Sequence, residues 1–99
     1  MPVKKSPQSC ASMSELRVEI DALDAELVSL LALRAQYIDR AIELKPAENM
    51  KARVPERVED VVAKVRAAAE AQGLDPVLIE GLWRQIIEWS IAREADIID

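Results

Sequence analysis

Ninety-nine residues carrying a formal net charge of −5 make one small domain, and a chain this short buries only about two-thirds of the surface that its unfolded form exposes. The acidic balance argues against a nucleic-acid surface, which shows as a basic excess. The absence of histidine removes the usual general base, the commonest metal ligand and every Ser-His or Cys-His arrangement. With no glycine-rich phosphate loop either, an enzyme built from this chain works by positioning and electrostatics, and neither a metal nor a cofactor is expected.

The first segment, MPVKKSPQSCAS, has two lysines and no apolar run, so it reads as neither signal peptide nor membrane segment, and a cytoplasmic protein is expected. Residues 1–13 are expected to form a flexible tail ahead of a single domain at 14–99. The lone Cys10 lies in that tail and has no partner for a disulfide within the chain.

From Ser14 to about Leu44 the apolar positions Leu16, Ile20, Leu23, Leu27, Leu30, Ile38 and Ala41 fall at helical steps. One helix of that length runs roughly 45 Å, well beyond a compact domain whose radius of gyration is about 13 Å, so it needs a partner outside its own chain. Pro46 disfavours helical geometry at Lys45, and the polar stretch 46–54 reads as a loop. A second helix opens at Pro55 and runs through Val58, Val61, Val62 and Val65 to a stop at Gly73. Asp75 and Pro76 form an N-cap and first-turn pair for a third. Apolar residues from Leu78 to Ile91 surround that third helix almost completely, which predicts burial, with Trp83 and Trp89 as core fillers. The expected fold is all-α, with one long and two shorter helices per chain.

The chemistry-bearing residues are cations on apolar faces. Arg34 and Lys45 continue the stripe of the first helix, eleven residues or three turns apart, and their side chains can converge on a small acid or on internal carboxylates. For Arg34 the alternative is a salt bridge with Glu88 or Glu94; for Lys45 it is a side chain that reaches water from the helix end. Arg17 lies about 25 Å before Arg34 along the axis and roughly 100° around it, so it reaches that ligand only from a second, antiparallel copy of the helix; otherwise it pairs with Asp21 at i+4. Arg57, poorly placed for the dipole of the second helix, either meets a ligand or is a solvated surface charge. Glu94 shares a face with Trp83, Ile87, Ser90 and Ile91, where a carboxyl group is unexpected; it either serves a ligand or neutralises Arg34 or Arg57.

The segments LRVEIDALDAELVSLLALRAQYIDRAIELK, PERV at 55–58 and GLDPVLIEGLWRQIIEWSIARE resemble the all-α AroQ class of chorismate mutases over nearly the whole chain from residue 14. The resemblance implies an intertwined homodimer with shared active sites and a dicarboxylate substrate, chorismate, rearranged to prephenate. It implies that Arg34 and Arg17 of the second copy hold the substrate carboxylates, that Lys45 donates to the ether oxygen, and that Arg57 closes the mouth of the site. Ser90 would contact a carboxylate, Glu94 would be the second ether-oxygen partner in place of the usual glutamine, and Ile87 and Ile91 would line the substrate. Where the mutases carry an Asp and a Glu around the arginine matched by Arg57, this chain has Val54 and Val58. That valine after arginine and the phrase EGLWRQIIEWSIA resemble the isochorismate-pyruvate lyases, which gives a second reading. A non-catalytic helical interaction protein is the third.

Overall fold

Three α-helices, α1 (Met13–Leu44), α2 (Pro55–Ala71) and α3 (Pro76–Ile98), dominate residues 5–99, which the computed structural model describes; no strand occurs among them. The all-α, three-helix expectation holds. Short 3₁₀ turns at Pro7–Ser9 and Pro46–Glu48 complete the order. Residues 1–4 of the expected tail lie outside the described residues. The chain divides into a unit ending at Tyr37 and a unit beginning at Ile38.

In the first unit, α1 starts one residue earlier than its periodicity predicts because Ser12 caps it. The Ser12 hydroxyl accepts the Glu15 N–H at 3.2 Å, and the Glu15 carboxylate reaches back to accept the Ala11 N–H at 2.6 Å. This is a capping-box arrangement displaced by one residue. Lys5 adds an ion pair to Glu15 at 2.8 Å, so residues 5–12 are tied to the first turn. No residue of α1 is buried; Leu23, Leu27, Leu30 and Val28 are all exposed.

In the second unit, α2 and α3 pack as an antiparallel-style hairpin of sequence neighbours around Val62, Ala69 and Ile87. Gly73, at φ +71°, ends α2 as expected: its N–H bonds the Glu70 carbonyl and the Leu74 N–H bonds the Ala69 carbonyl at 2.8 Å, the Schellman closure that needs a left-handed residue. Asp75 caps α3 by accepting the Val77 N–H at 2.9 Å. The ion pairs Arg84–Glu59 and Arg66–Glu80 join the two helices along their wet side, and Arg84–Glu80 within α3 links them into one network.

Two expectations are corrected. Lys45 adopts helical angles (φ −58°, ψ −43°) despite the proline that follows, because its carbonyl accepts the N–H groups of Glu48 and Met50 and the local bonds outweigh the steric bias. Helix α3 is not buried all round: only Ile87, Ser90 and Glu94 are buried, while Leu78, Leu82 and Trp89 are exposed. Trp89, at 53% exposure, fills no core; the Arg93 guanidinium lies over its ring at 5.4 Å, a cation–π contact at the surface.

Candidate functional site

The second unit gathers its unusual chemistry where the end of α1, the segment 46–54 and the last turns of α3 meet. The helical backbone of Lys45 aims its side chain toward α3. Its Nζ lies 2.6 Å from Glu94 Oε1 and donates an aligned hydrogen bond to the Ala52 carbonyl at 2.7 Å. The Glu94 contact is an ion pair by distance but not by alignment, so Oε1 has no hydrogen-bond partner among the described groups although Glu94 is 4% exposed. A buried acceptor of this kind costs free energy unless something donates to it. The ammonium, whose side chain is 17% exposed, is the nearest compensation.

Glu94 is buried because the face it occupies is buried. Ile87 and Ser90 lie at i−7 and i−4 from it, and all three are under a tenth exposed. The Ser90 hydroxyl donates to the Ile86 carbonyl at 2.9 Å, so donation to a ligand requires the hydroxyl to rotate. Ile91, Val54 and Val58 are half-buried; Val54, in extended conformation, is the residue on which α2 begins.

The other predicted cations are placed differently. Arg57 is exposed and pairs with Asp60 in its own helix at 2.7 Å, where Lys64 also meets Asp60. These two cations, Lys64 first, hold the Asp60 carboxyl below its ordinary range. In the first unit Arg34 is half-buried, and Arg17 is exposed and pairs with no carboxylate among the described residues, the suggested Asp21 included. Glu94 meets Lys45, whereas Arg57, one of the two partners suggested for it, meets Asp60, and Glu88 pairs with Arg53. That last pair is bidentate, at 2.6 and 2.9 Å, and the guanidinium holds the Glu88 carboxyl below its ordinary range.

Sequence reasoning missed Ala52, Arg53 and Asp99. Ala52 is 2% exposed between exposed neighbours; its carbonyl meets Lys45 and its N–H donates to Asp99 Oδ1 at 3.1 Å. The sequence signal for the segment was only its polarity, which gave no reason for an alanine in it to be buried. A cleft of about 230 Å³ between α2 and α3, lined by Val65, Ala69, Leu74, Ile79 and Trp83, lacks ionisable groups. No group of acidic or cysteine side chains among the described residues is arranged to hold a metal. No helix among them is long and apolar enough to cross a membrane.

Comparison with known proteins is consistent in kind along the chain. The family described as chorismate mutase type II matches residues 16–95. An isochorismate pyruvate lyase of Pseudomonas aeruginosa is 36% identical over 90 residues, covering 91% of this chain and 88% of that protein. A T-protein of Enterobacter agglomerans is 36% identical over 86 residues, 87% of this chain but 23% of that protein. A bifunctional chorismate mutase/prephenate dehydratase of Aquifex aeolicus is 33% identical over 88 residues, 86% of this chain and 24% of that protein. The chain thus spans nearly all of the lyase and about a quarter of the two larger relatives. It belongs to the chorismate mutase type II family.

Proposed function

We propose that the chain is a chorismate mutase, rearranging chorismate to prephenate by holding the reactive conformer and stabilising the charge that develops on the breaking ether bond. The observation that carries the reading is the buried Lys45–Glu94 pair at 2.6 Å, in a chain of this family that has no histidine for proton transfer. A pericyclic step breaks one C–O bond and forms one C–C bond within the substrate, with no proton moved and no covalent intermediate. The protein then supplies orientation and electrostatics. Lys45 donates to the ether oxygen as the bond lengthens, and Glu94 stands at the position of its second partner. Arg34 and Arg17 of a second copy hold the carboxylates, Ser90 supports one of them, Ile87 and Ile91 line the ring, and Arg57 closes the mouth of the site after leaving Asp60.

The homodimer belongs to this reading. Its support is the exposed apolar stripe of α1, since contiguous apolar surface of that extent marks an interaction face, and the exposed Arg17, which pairs with no carboxylate among the described residues. A cytoplasmic location and a role in aromatic amino acid biosynthesis belong to it as well.

Isochorismate-pyruvate lyase activity is the second reading, favoured by a match over 88% of a lyase's length and by the apolar Val54 and Val58 at the site's edge. One experiment separates the readings: purified protein is given chorismate and isochorismate separately, and the products are resolved by chromatography. Prephenate from chorismate is the expected outcome. Salicylate and pyruvate from isochorismate, with chorismate untouched, would replace the first reading by the second; consumption of neither at micromolar enzyme would leave a helical interaction protein.

A further inference from the structure

The segment 49–54 has almost no regular backbone bonding, yet it supplies the carbonyl that fixes the Lys45 ammonium. Two acids of the α3 end grip it on either side of that carbonyl. Asp99 accepts the Ala52 N–H at 3.1 Å, and Glu88 takes the guanidinium of the next residue, Arg53, in a two-bond fork. Glu88 and Asp99 are eleven residues apart, three turns with about 20° of drift, so they share one side of α3, and Glu94 lies between them in height but on the buried face, roughly 120–140° around the axis. The peptide of Ala52 is drawn inward to 2% exposure while Lys51 and Arg53 stay exposed.

We propose that Asp99 and the Arg53–Glu88 pair are positioning residues for Lys45: they clamp the Ala52 peptide to α3 so that its carbonyl holds the ammonium against Glu94. The catalytic consequence rests on the proposed function above. Lysine carries four rotatable bonds, and a point charge that must meet a developing oxyanion gains from losing its alternatives before the reaction begins. An Arg–carboxylate pair as exposed as Arg53–Glu88 adds little to stability, so its effect belongs in the turnover rate rather than the melting temperature. The fork geometry fixes direction as well as distance.

The test uses the full chain and three readouts: hydrogen exchange of the Ala52 amide, proton exchange of the Lys45 ammonium by nitrogen-15 NMR, and steady-state kinetics on chorismate and isochorismate. Asp99→Ala, which removes the acceptor, is expected to speed Ala52 exchange at least tenfold, to speed ammonium exchange, and to lower kcat about tenfold with a smaller change in KM. Asp99→Asn keeps an oxygen acceptor and should recover most of each loss. Arg53→Glu and Glu88→Arg should each lower kcat, and the double reversal should restore it. Unchanged Ala52 or ammonium exchange in Asp99→Ala would overturn the clamp whatever the activity. Faster exchange with undiminished kcat would overturn its catalytic purpose. If the parent protein consumes neither substrate while both exchange rates respond as expected, the proposed activity fails and the clamp on Lys45 stands.

Discussion

At the scale of single residues, the proposed site turns on one lysine and one buried carboxyl group. Lys45→Ala should lower kcat far more than it raises KM, because in the proposed mechanism the ammonium acts on charge that appears chiefly in the transition state; a loss of roughly two to four kcal/mol is expected, as for removal of one oxyanion donor. Stopped-flow and steady-state rates, with circular dichroism confirming the fold, decide it. A rise in KM alone would make Lys45 a carboxylate anchor. Glu94 has Lys45 at 2.6 Å and no aligned donor on Oε1. A carboxylate accepts whereas an amide also donates, so Glu94→Gln, which supplies a permanent donor, should raise kcat/KM above that of the parent. An unchanged kcat/KM would remove Glu94 from the ether oxygen. The carboxyl group was legible from the sequence because it broke an apolar face; its partner was not, because helical periodicity orders residues along one helix and is silent about which loop carbonyl and which cation meet it.

At the scale of elements, boundaries were legible wherever a residue has only one comfortable role. Pro55, Gly73 and the Asp75–Pro76 pair mark ends that the structure reproduces. Gly73 is the clearest, since φ +71° is the left-handed region and a Cβ there would meet nothing within 4 Å; the cost of Gly73→Ala is therefore backbone strain alone, about 1 kcal/mol. Thermal denaturation should show a drop of roughly 4–8 °C, and an unchanged midpoint would mean that α2 ends without the Schellman closure. Less legible was the start of α1, where the Ser12–Glu15 spacing is itself a capping signature that the apolar periodicity overshadowed. The α2–α3 pairing carries a further expectation. Arg84, then Arg66, hold Glu80 below its ordinary carboxyl value of 4.5, and Arg84 does the same for Glu59. Acids depressed in the fold stabilise it above that ordinary value, and the contribution fades as pH falls through the lower folded value. Melting temperature should be level from neutral pH to about 5 and decline below about 4, less steeply at high salt because the pairs are partly exposed. A decline that begins near neutrality would point to a different titrating group.

At the scale of the whole molecule, the apolar residues that fill the third helix and the stripe of the first were read as core, and the composition does argue for burial. A single chain does not provide it: no residue of α1 is buried, and Leu78, Leu82 and Trp89 of α3 are exposed. Amphipathic pattern reports that a face will be covered, not by which copy. Light scattering at micromolar concentration should therefore give twice the chain mass, and a folded monomer would sink the shared site. Mixing Arg17→Ala with Arg34→Ala chains should restore up to one intact site per mixed pair, and no recovery after exchange would count against sharing. The bare leucine ladder of α1, Leu23, Leu27 and Leu30, also has a kinetic consequence. If the proposed dimer forms, a newly made chain keeps that ladder wet until it collides with another, and maturation is then second order in protein. Diluted into nanomolar assays, the enzyme should lose specific activity over time, and on reconcentration regain it with a half-time that shortens in inverse proportion to the amount of protein present.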